Sequence, residues 1–141
     1  ERIAAAPGPR GGIFVRLRGT KERVPLGSFG DGTTRLFSLA CNLISVQGGL
    51  LLIDEIDTGL HVSTMLEMWA FLFHAVKEFD VQVFATTHSD DCIRGLTEFL
   101  RCDEDARGKA RLFRMERGAS TMTSYDSEEI VSTSDAGIEV R

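Results

Sequence analysis

Two adjacent carboxylates, Asp54 and Glu55, follow directly after an apolar run at residues 50 to 53. Adjacent acids can divide catalytic work, because one can hold Mg²⁺ directly or through water while the other orients and deprotonates a water molecule. An apolar run bounded by glycine is typical of a parallel strand covered on both faces, and ligands of open α/β sheets bind where such strands end. Taken alone, the pair fits an ordinary strand-to-loop junction equally well.

A second strand-like run, residues 81 to 87, ends in polar groups, with Thr87 followed by His88. If the two runs are neighbouring parallel strands, His88 stands close to Asp54 and Glu55. A histidine at a strand end is, by itself, more often a surface or capping residue. Beside an acid pair and a glycine loop, a catalytic role is the better interpretation.

A glycine-rich loop, residues 27 to 34 (GSFGDGTT), opens a stretch whose apolar residues fall at helical spacing. Free N–H groups and the positive end of the helix dipole at such a place suit a phosphate. Asp31 or Thr33 is expected to cap the helix. Arg35 puts a cation in the first turn, where the dipole does not favour it, so Arg35 is odd for structure alone. The loop alone is a weak signal, and a plain turn is the simpler interpretation.

The elements that must position these residues follow from periodicity and turn signals. Residues 1 to 12, which include two prolines and three glycines, are predicted to be a linker or disordered lead-in, followed by one domain over residues 13 to 141. The other predicted strands are residues 13 to 17 and 23 to 26, forming a hairpin, and residues 111 to 116 and 120 to 125. The other predicted helices are residues 61 to 79 and 90 to 100, with one helical turn at 127 to 131.

Composition limits the classes of protein that fit. The chain has 141 residues, 43% of them hydrophobic, which suits one domain with a real core. A net charge of −5 argues against wholesale electrostatic binding of nucleic acid, although a local basic patch stays compatible with it. The three cysteines include no Cys-x-x-Cys pair, so neither a zinc site nor a disulfide framework is indicated. With no 18-residue apolar run and no signal-peptide pattern, we expect a cytoplasmic chain without a membrane partner.

Four motifs in this order resemble a known family. They are the Gly-x-Gly loop that starts a helix, then LLLIDE, then Asp-x-Gly-Leu-His, then a strand that ends in Thr-Thr-His-Ser. Over roughly residues 24 to 100 the chain resembles the carboxyl-terminal half of an ABC-type ATPase core of the SMC, RecF and OLD kind, most closely the bacterial OLD-related AAA-type ATPases. The resemblance implies an α/β, P-loop NTPase-like sheet with flanking helices, and ATP and Mg²⁺ as ligands.

The resemblance also implies roles for the acids and the histidine. Asp54 would be the Walker B aspartate that helps to place Mg²⁺, and Glu55 the general base that polarises the attacking water. Asp57 would be the D-loop aspartate that communicates between subunits. His88 would be the switch histidine that contacts the γ-phosphate.

The glycine loop would correspond to the signature loop of the family. That loop binds the γ-phosphate of ATP held by the opposite subunit of a nucleotide-dependent homodimer. The residues that the resemblance assigns to it are Ser28, Gly30, Asp31 and Gly32. The sequence reads Gly-Ser-Phe-Gly-Asp-Gly rather than Leu-Ser-Gly-Gly-Gln, so the residue-by-residue assignment is looser here than for the acids.

One motif of the family has no counterpart, because nothing in the chain matches Gly-x-x-x-x-Gly-Lys-Ser or -Thr. The family keeps this phosphate loop, which phosphoryl transfer needs, in its amino-terminal half. We therefore expect a carboxyl-terminal piece that lacks the phosphate-loop strand, and the first residue, Glu1 rather than methionine, agrees with this expectation.

Two functions stay open at this stage. The first is an ATPase, active once the amino-terminal half completes it, that serves DNA maintenance or anti-phage defence, with DNA or an effector protein as a further partner. The second is a non-catalytic, regulatory or degenerate ATPase half that acts as a binding module. If the chain is such a carboxyl-terminal piece, residues 50 to 54 should pair in parallel with 81 to 87, and 111 to 116 should not pair directly with 81 to 87, since the phosphate-loop strand lies between them in the family. Direct pairing of 111 to 116 with 81 to 87 would instead favour a self-sufficient binding domain.

Overall fold

The computed structural model describes residues 2–6, 12–116 and 118–135. In chain order, its strands and helices are β1 (Arg2–Ala6), β2 (Gly12–Arg16), β3 (Val24–Pro25), α1 (Asp31–Ser45), β4 (Leu50–Ile53), α2 (Met65–Phe79), β5 (Gln82–Ala85), α3 (Asp90–Cys102), β6 (Arg111–Arg114), β7 (Thr123–Asp126) and α4 (Ser127–Asp135). Single 3₁₀ turns lie at Leu26–Phe29, Val62–Thr64 and Glu104–Ala106.

The strands β4 and β5 pair in parallel, as the two apolar runs predict. Leu50 lies opposite Gln82, and Ile53 lies opposite Ala85 at the carboxyl end. The ladder continues one step further, where the backbone N–H of Thr86 donates to the carbonyl of Ile53 at 2.9 Å. Parallel neighbours need a long crossover connection, and α2 supplies it.

The remaining strands form two antiparallel groups. The order β1-β2-β3 makes one small sheet, and β6 pairs with β7 in another. Within the described residues β6 therefore does not pair with β5, in agreement with the expectation that these two strands are not direct neighbours.

The hydrophobic core lies on one side of the β4–β5 pair. It is built from the inner faces of α1, α2, α3 and α4, with Leu43, Met68, Leu100 and Ile130 completely buried. Leu51, Ile53 and Val83 of the two strands pack against this core. Trp69 of α2 fixes the contact with α3, because its indole N–H donates to the carbonyl of Cys92 at 2.9 Å.

The opposite side of the β4–β5 pair is open in the described residues. Leu50 and Leu52 of β4 are 50% and 71% exposed, and Phe84 of β5 is 50% exposed. Successive side chains of a strand point to opposite faces, so these three residues belong to the face that the helices leave bare. The sequence predicts that β4 is covered on both faces, and in the described residues it is covered on one.

Three local features differ from the sequence-based expectations. The sequence predicts that residues 2–6 belong to a linker or disordered lead-in, but they form β1 because their backbone pairs with β2. Amino-acid composition does not reveal this pairing. The rest of the predicted lead-in, residues 7 to 11, lies outside the described residues. The helix predicted from residue 61 begins as α2 at Met65, after a 3₁₀ turn capped by His61. Gly30 caps α1 rather than Asp31 or Thr33, because Asp31 is already helical and the Thr33 hydroxyl donates back to the Phe29 carbonyl.

The other elements lie close to their predicted positions. Ser89 caps α3 by accepting from the N–H of Cys92 at 3.2 Å. The predicted turn at 127 to 131 extends into α4. Among the helices that the structure describes, none combines the length and hydropathy needed to cross a bilayer.

Gly95 permits the close packing of α3 on α2. A Cβ atom at this position would lie 2.6 Å from Cβ and 3.2 Å from the carbonyl carbon of Met65. Neither atom can move without shifting a helix, so Gly95→Ala should lower the free energy of unfolding by about 1–3 kcal/mol, the cost of overpacking a core. Urea denaturation measures this loss, and Gly27→Ala, whose Cβ would meet nothing within 4 Å, serves as the control. Equal stability of the two variants would contradict this packing.

Candidate functional site

The two acids lie on an exposed turn at the carboxyl end of β4. Both Asp54 and Glu55 are exposed. Glu55 has φ of 48°, in the left-handed region that residues other than glycine rarely adopt. Its carboxylate accepts a hydrogen bond from the Thr58 hydroxyl at 3.1 Å. The turn thus holds the second acid in a defined position.

Thr86 connects this turn to the neighbouring strand. Its hydroxyl donates to the Asp54 carboxylate and accepts from the N–H of Glu55 at 3.0 Å. Its carbonyl accepts from the N–H of Ile56 at 3.0 Å. The parallel register causes this contact, because the residues after the Ile53–Ala85 pair must meet.

Asp57 is bound to the residue that follows Thr86, which is Thr87. The Thr87 hydroxyl donates to its carboxylate and accepts from the N–H of Ser89 at 3.0 Å. Asp57 is half-buried, in contrast to the exposed Asp54 and Glu55. The two threonines therefore fix two of the three acids, leaving their outer faces open.

Arg35 reaches the acidic turn from α1. Its Nη2 donates to the carbonyl of Asp54 at 3.3 Å and to the carbonyl of Glu55 at 3.2 Å. These contacts account for a cation near the start of α1, where the dipole alone does not favour it. They also bring the start of α1 beside the acids.

The glycine loop lies next to the same turn. Ser28, Gly30 and Asp31 are exposed, and Gly30 has φ of 90°, a conformation that suits glycine. Gly32 packs closely on the segment after the acids, since a Cβ on it would lie 3.3 Å from Leu60 and 3.5 Å from the Gly59 carbonyl. The predicted loop and the predicted acids therefore share one edge of the molecule.

His88 follows Thr87 at the end of the second strand and is exposed. Within the described residues its ring makes no hydrogen bond to Asp54 or Glu55. The structure thus places an exposed His88 at the same sheet edge as the acids.

Thr86 is a residue of the candidate site that the sequence pattern does not single out. The signal exists in the sequence, because Thr86 and Asp54 each directly follow an apolar run. The contact between Thr86 and Asp54 becomes evident only when the register between β4 and β5 is known.

The donor set fits Mg²⁺ held partly by a substrate. In the described residues no group of three or more His, Cys, Asp or Glu side chains could enclose a metal. Mg²⁺ commonly uses one or two carboxylates together with phosphate oxygens and water. Asp54, exposed and oriented by Thr86, meets that requirement.

A parallel strand–helix–strand unit, with acids at its carboxyl edge and a glycine loop that opens a helix, fits an α/β domain of the P-loop NTPase-like class. Residues 11–92, more than half of the chain, match the family described as "AAA domain, putative AbiEii toxin, Type IV TA system". The chain belongs to this AAA family.

Two similar proteins agree with the class. An "ATP/GTP phosphatase" of Helicobacter pylori (strain ATCC 700392 / 26695) is 31% identical over 104 residues, which cover 72% of this chain and 28% of that protein. This chain therefore spans little more than a quarter of the length of that relative. A solved structure from "Structural biochemistry of ATP-driven dimerization and DNA stimulated activation of SMC ATPases" superposes with a TM-score of 0.53 at 17% identity, covering 93% of this chain and 74% of that one. This likeness, together with the AAA family, confirms the P-loop NTPase-like α/β fold that the sequence predicts.

The buried thiol of Cys92 lies near Thr87 and Asp57, at the carboxyl edge of the β4–β5 pair. Burial raises its pKa from the ordinary value to about 11, and the nearby Asp57 carboxylate acts in the same direction. Because the thiolate is the reactive form, Cys92 should resist iodoacetamide at pH 8, whereas the exposed Cys41 and Cys102 should react. Peptide mass spectrometry with and without urea measures this difference. Labelling of all three thiols at one rate in the folded chain would contradict it.

Proposed function

We propose that this chain is the carboxyl-terminal part of an ATP-binding and ATP-hydrolysing protein of the SMC, RecF and OLD type. The observation that carries the proposal is one shared edge, where the Asp54–Glu55 turn, Asp57 and the glycine loop meet. The AAA family membership and the ATP/GTP phosphatase relative support ATP as the substrate. Within this type, we place the chain closest to the OLD-related ATPases.

Glu55 is the general base in this proposal. Its carboxylate is exposed to a ligand, and only the Thr58 hydroxyl, at 3.1 Å, holds it from within the described residues. The backbone N–H of Glu55 is fixed by Thr86. An oriented carboxylate that can accept the proton of a water molecule suits hydrolysis of a phosphoanhydride.

Asp54 is the residue that would hold Mg²⁺, either directly or through water. When bound, the ion neutralises charge on the β- and γ-phosphates. The Thr86 hydroxyl orients one carboxylate oxygen of Asp54 and leaves the other for the ion or its waters.

Ser28, Gly30, Asp31 and Gly32 form the signature loop in the proposal, and they act on ATP held by the opposite subunit of a homodimer. Ser28 and Gly30 are exposed at the start of α1, where backbone N–H groups and the helix dipole favour an anion. Asp57, held by Thr87 at the same strand end, communicates between the subunits in this proposal. The structurally similar SMC ATPases undergo ATP-driven dimerization, which supports the proposal of such a dimer.

His88 contacts the γ-phosphate in this proposal. Its exposed ring follows directly after the threonine that binds Asp57. An imidazole at this point can donate to a phosphate oxygen without displacing either acid.

The amino-terminal half, with the phosphate loop, is the partner that completes the site. Leu50, Leu52 and Phe84 leave an apolar face open on the β4–β5 pair, and the pair has no further strand on either edge in the described residues. Exposed apolar faces and unpaired strand edges favour association with another segment. We place the phosphate-loop strand beside β5 and the rest of that half over this face.

The biological role that we propose lies in DNA maintenance or anti-phage defence, with DNA or an effector protein as a further partner. A non-catalytic regulatory half is the second candidate, since the 141 residues contain no phosphate loop. Turnover by the completed protein separates the two candidates.

The first test concerns hydrolysis by the completed protein. Glu55→Gln should retain ATP binding and lower turnover by about 10²-fold or more, because the amide cannot accept the proton of the attacking water. His88→Ala should also slow turnover. Phosphate release measures the rate, and Glu78→Gln, an exposed glutamate near the end of α2, is the matched control. Equal turnover by Glu55→Gln and Glu78→Gln would remove Glu55 from the mechanism.

The second test concerns assembly. Ser28→Arg should block ATP-dependent dimerisation in the Glu55→Gln background, because the side chain would occupy the place of the opposite γ-phosphate. Folding should be unaffected, since exposed loops tolerate changes of size. Analytical sedimentation with ATP measures dimerisation, and Ser45→Arg, at the far end of α1, is the control. A dimer of Ser28→Arg as stable as the Ser45→Arg dimer would mean that the loop does not act across the interface.

A further inference from the structure

We propose that Arg35 is a positioning residue that holds the catalytic turn at Asp54 and Glu55 and couples it to the glycine loop. This inference rests on the proposed function, because it names a further residue of the same site. Arg35 follows the four residues assigned to the signature loop and is not one of them. Its proposed role is to hold the acidic turn, whereas theirs is to bind the opposite γ-phosphate.

The contacts of Arg35 are long-range and specific. Its guanidinium donates to two successive carbonyls, of Asp54 at 3.3 Å and of Glu55 at 3.2 Å, which lie 19 and 20 residues further along the chain. The planar fork of a guanidinium can serve two acceptors at once, which the compact ammonium of lysine does less well. The side chain is half-buried between α1 and the acidic turn.

The turn that Arg35 contacts needs support. Glu55 has φ of 48°, and a residue other than glycine persists in this region only where its surroundings hold it. Thr86, directly after β5, binds the turn through the N–H of Glu55, and Arg35 binds it from α1 through the two carbonyls. The direction of the Glu55 side chain depends on this backbone.

A comparison within the chain separates this role from that of an ordinary surface cation. Arg94 is the fifth residue of α3, as Arg35 is the fifth residue of α1. Arg94 forms an exposed ion pair with Asp91, one turn away on its own helix, at 3.6 Å. Arg35 instead crosses to another element and contacts backbone rather than a carboxylate.

Arg35 therefore links two parts that serve different nucleotides in the proposed dimer. The glycine loop before it meets the ATP of the opposite subunit, whereas Glu55 serves the ATP of its own subunit. Loss of Arg35 should affect the rate of hydrolysis and its cooperativity, and should leave ATP affinity nearly unchanged.

The experiment uses the complete protein and three variants, Arg35→Ala, Arg35→Lys and Arg94→Ala. Arg35→Ala should lower kcat by about 10- to 100-fold, the cost of misplacing a catalytic group, and should leave KM and the Kd for ATP within about twofold. Arg35→Lys should lie between Arg35→Ala and the unchanged protein. Added guanidinium ion should restore part of the Arg35→Ala rate, and Arg94→Ala should behave like the unchanged protein.

Hydrogen exchange gives a second readout that does not need activity. The peptide that contains Glu55 and Asp57 should exchange faster in Arg35→Ala than in Arg94→Ala. Equal exchange and equal kcat in these two variants would overturn the inference, even if Glu55→Gln abolishes turnover. Absence of any ATP hydrolysis by the unchanged complete protein would instead overturn the proposed function, and the exchange rates would still decide whether Arg35 holds the turn.

Discussion

The parallel register of β4 and β5 is the constraint on which the site depends. Because Ile53 lies opposite Ala85, the next residues of the two strands, Asp54 and Thr86, meet at the carboxyl edge. The Thr86 hydroxyl then serves the Asp54 carboxylate and the N–H of Glu55 together. A one-residue slip would exchange the two faces of a strand and separate this threonine from both acids.

The acidic turn is held from two directions by groups of different kinds. Hydroxyls of the two threonines that follow β5 bind carboxylates, and a guanidinium from α1 binds backbone carbonyls. The carboxylates thereby keep open faces while the backbone beneath them stays fixed. This arrangement suits a site in which the chemistry uses side chains and the ligand comes from outside the described residues.

In the part of the chain that the structure describes, the helices cover one side of the β4–β5 sheet and leave the other bare. The core that they form buries Leu43, Met68 and Leu100 completely, whereas Leu52 on the other face is 71% exposed. Gly95 lets α3 pack closely on α2, and this packing stabilises the covered side of the two-stranded sheet. The bare side is the structural feature that supports the proposal of a further segment packed on this face.

The sequence by itself determined the elements whose signals are local. Helical spacing marked α1 and α2, the apolar runs marked β4 and β5, and the order of the motifs indicated the fold class that the SMC ATPase likeness confirms. Tertiary structure decided the β1–β2 pairing, the open face at Leu52, and the contacts of Thr86 and Arg35. The contacts of Arg35 and Thr86 join residues 19 to 32 positions apart. Their geometry depends on strand register and helix packing, which the periodicity of the sequence does not encode.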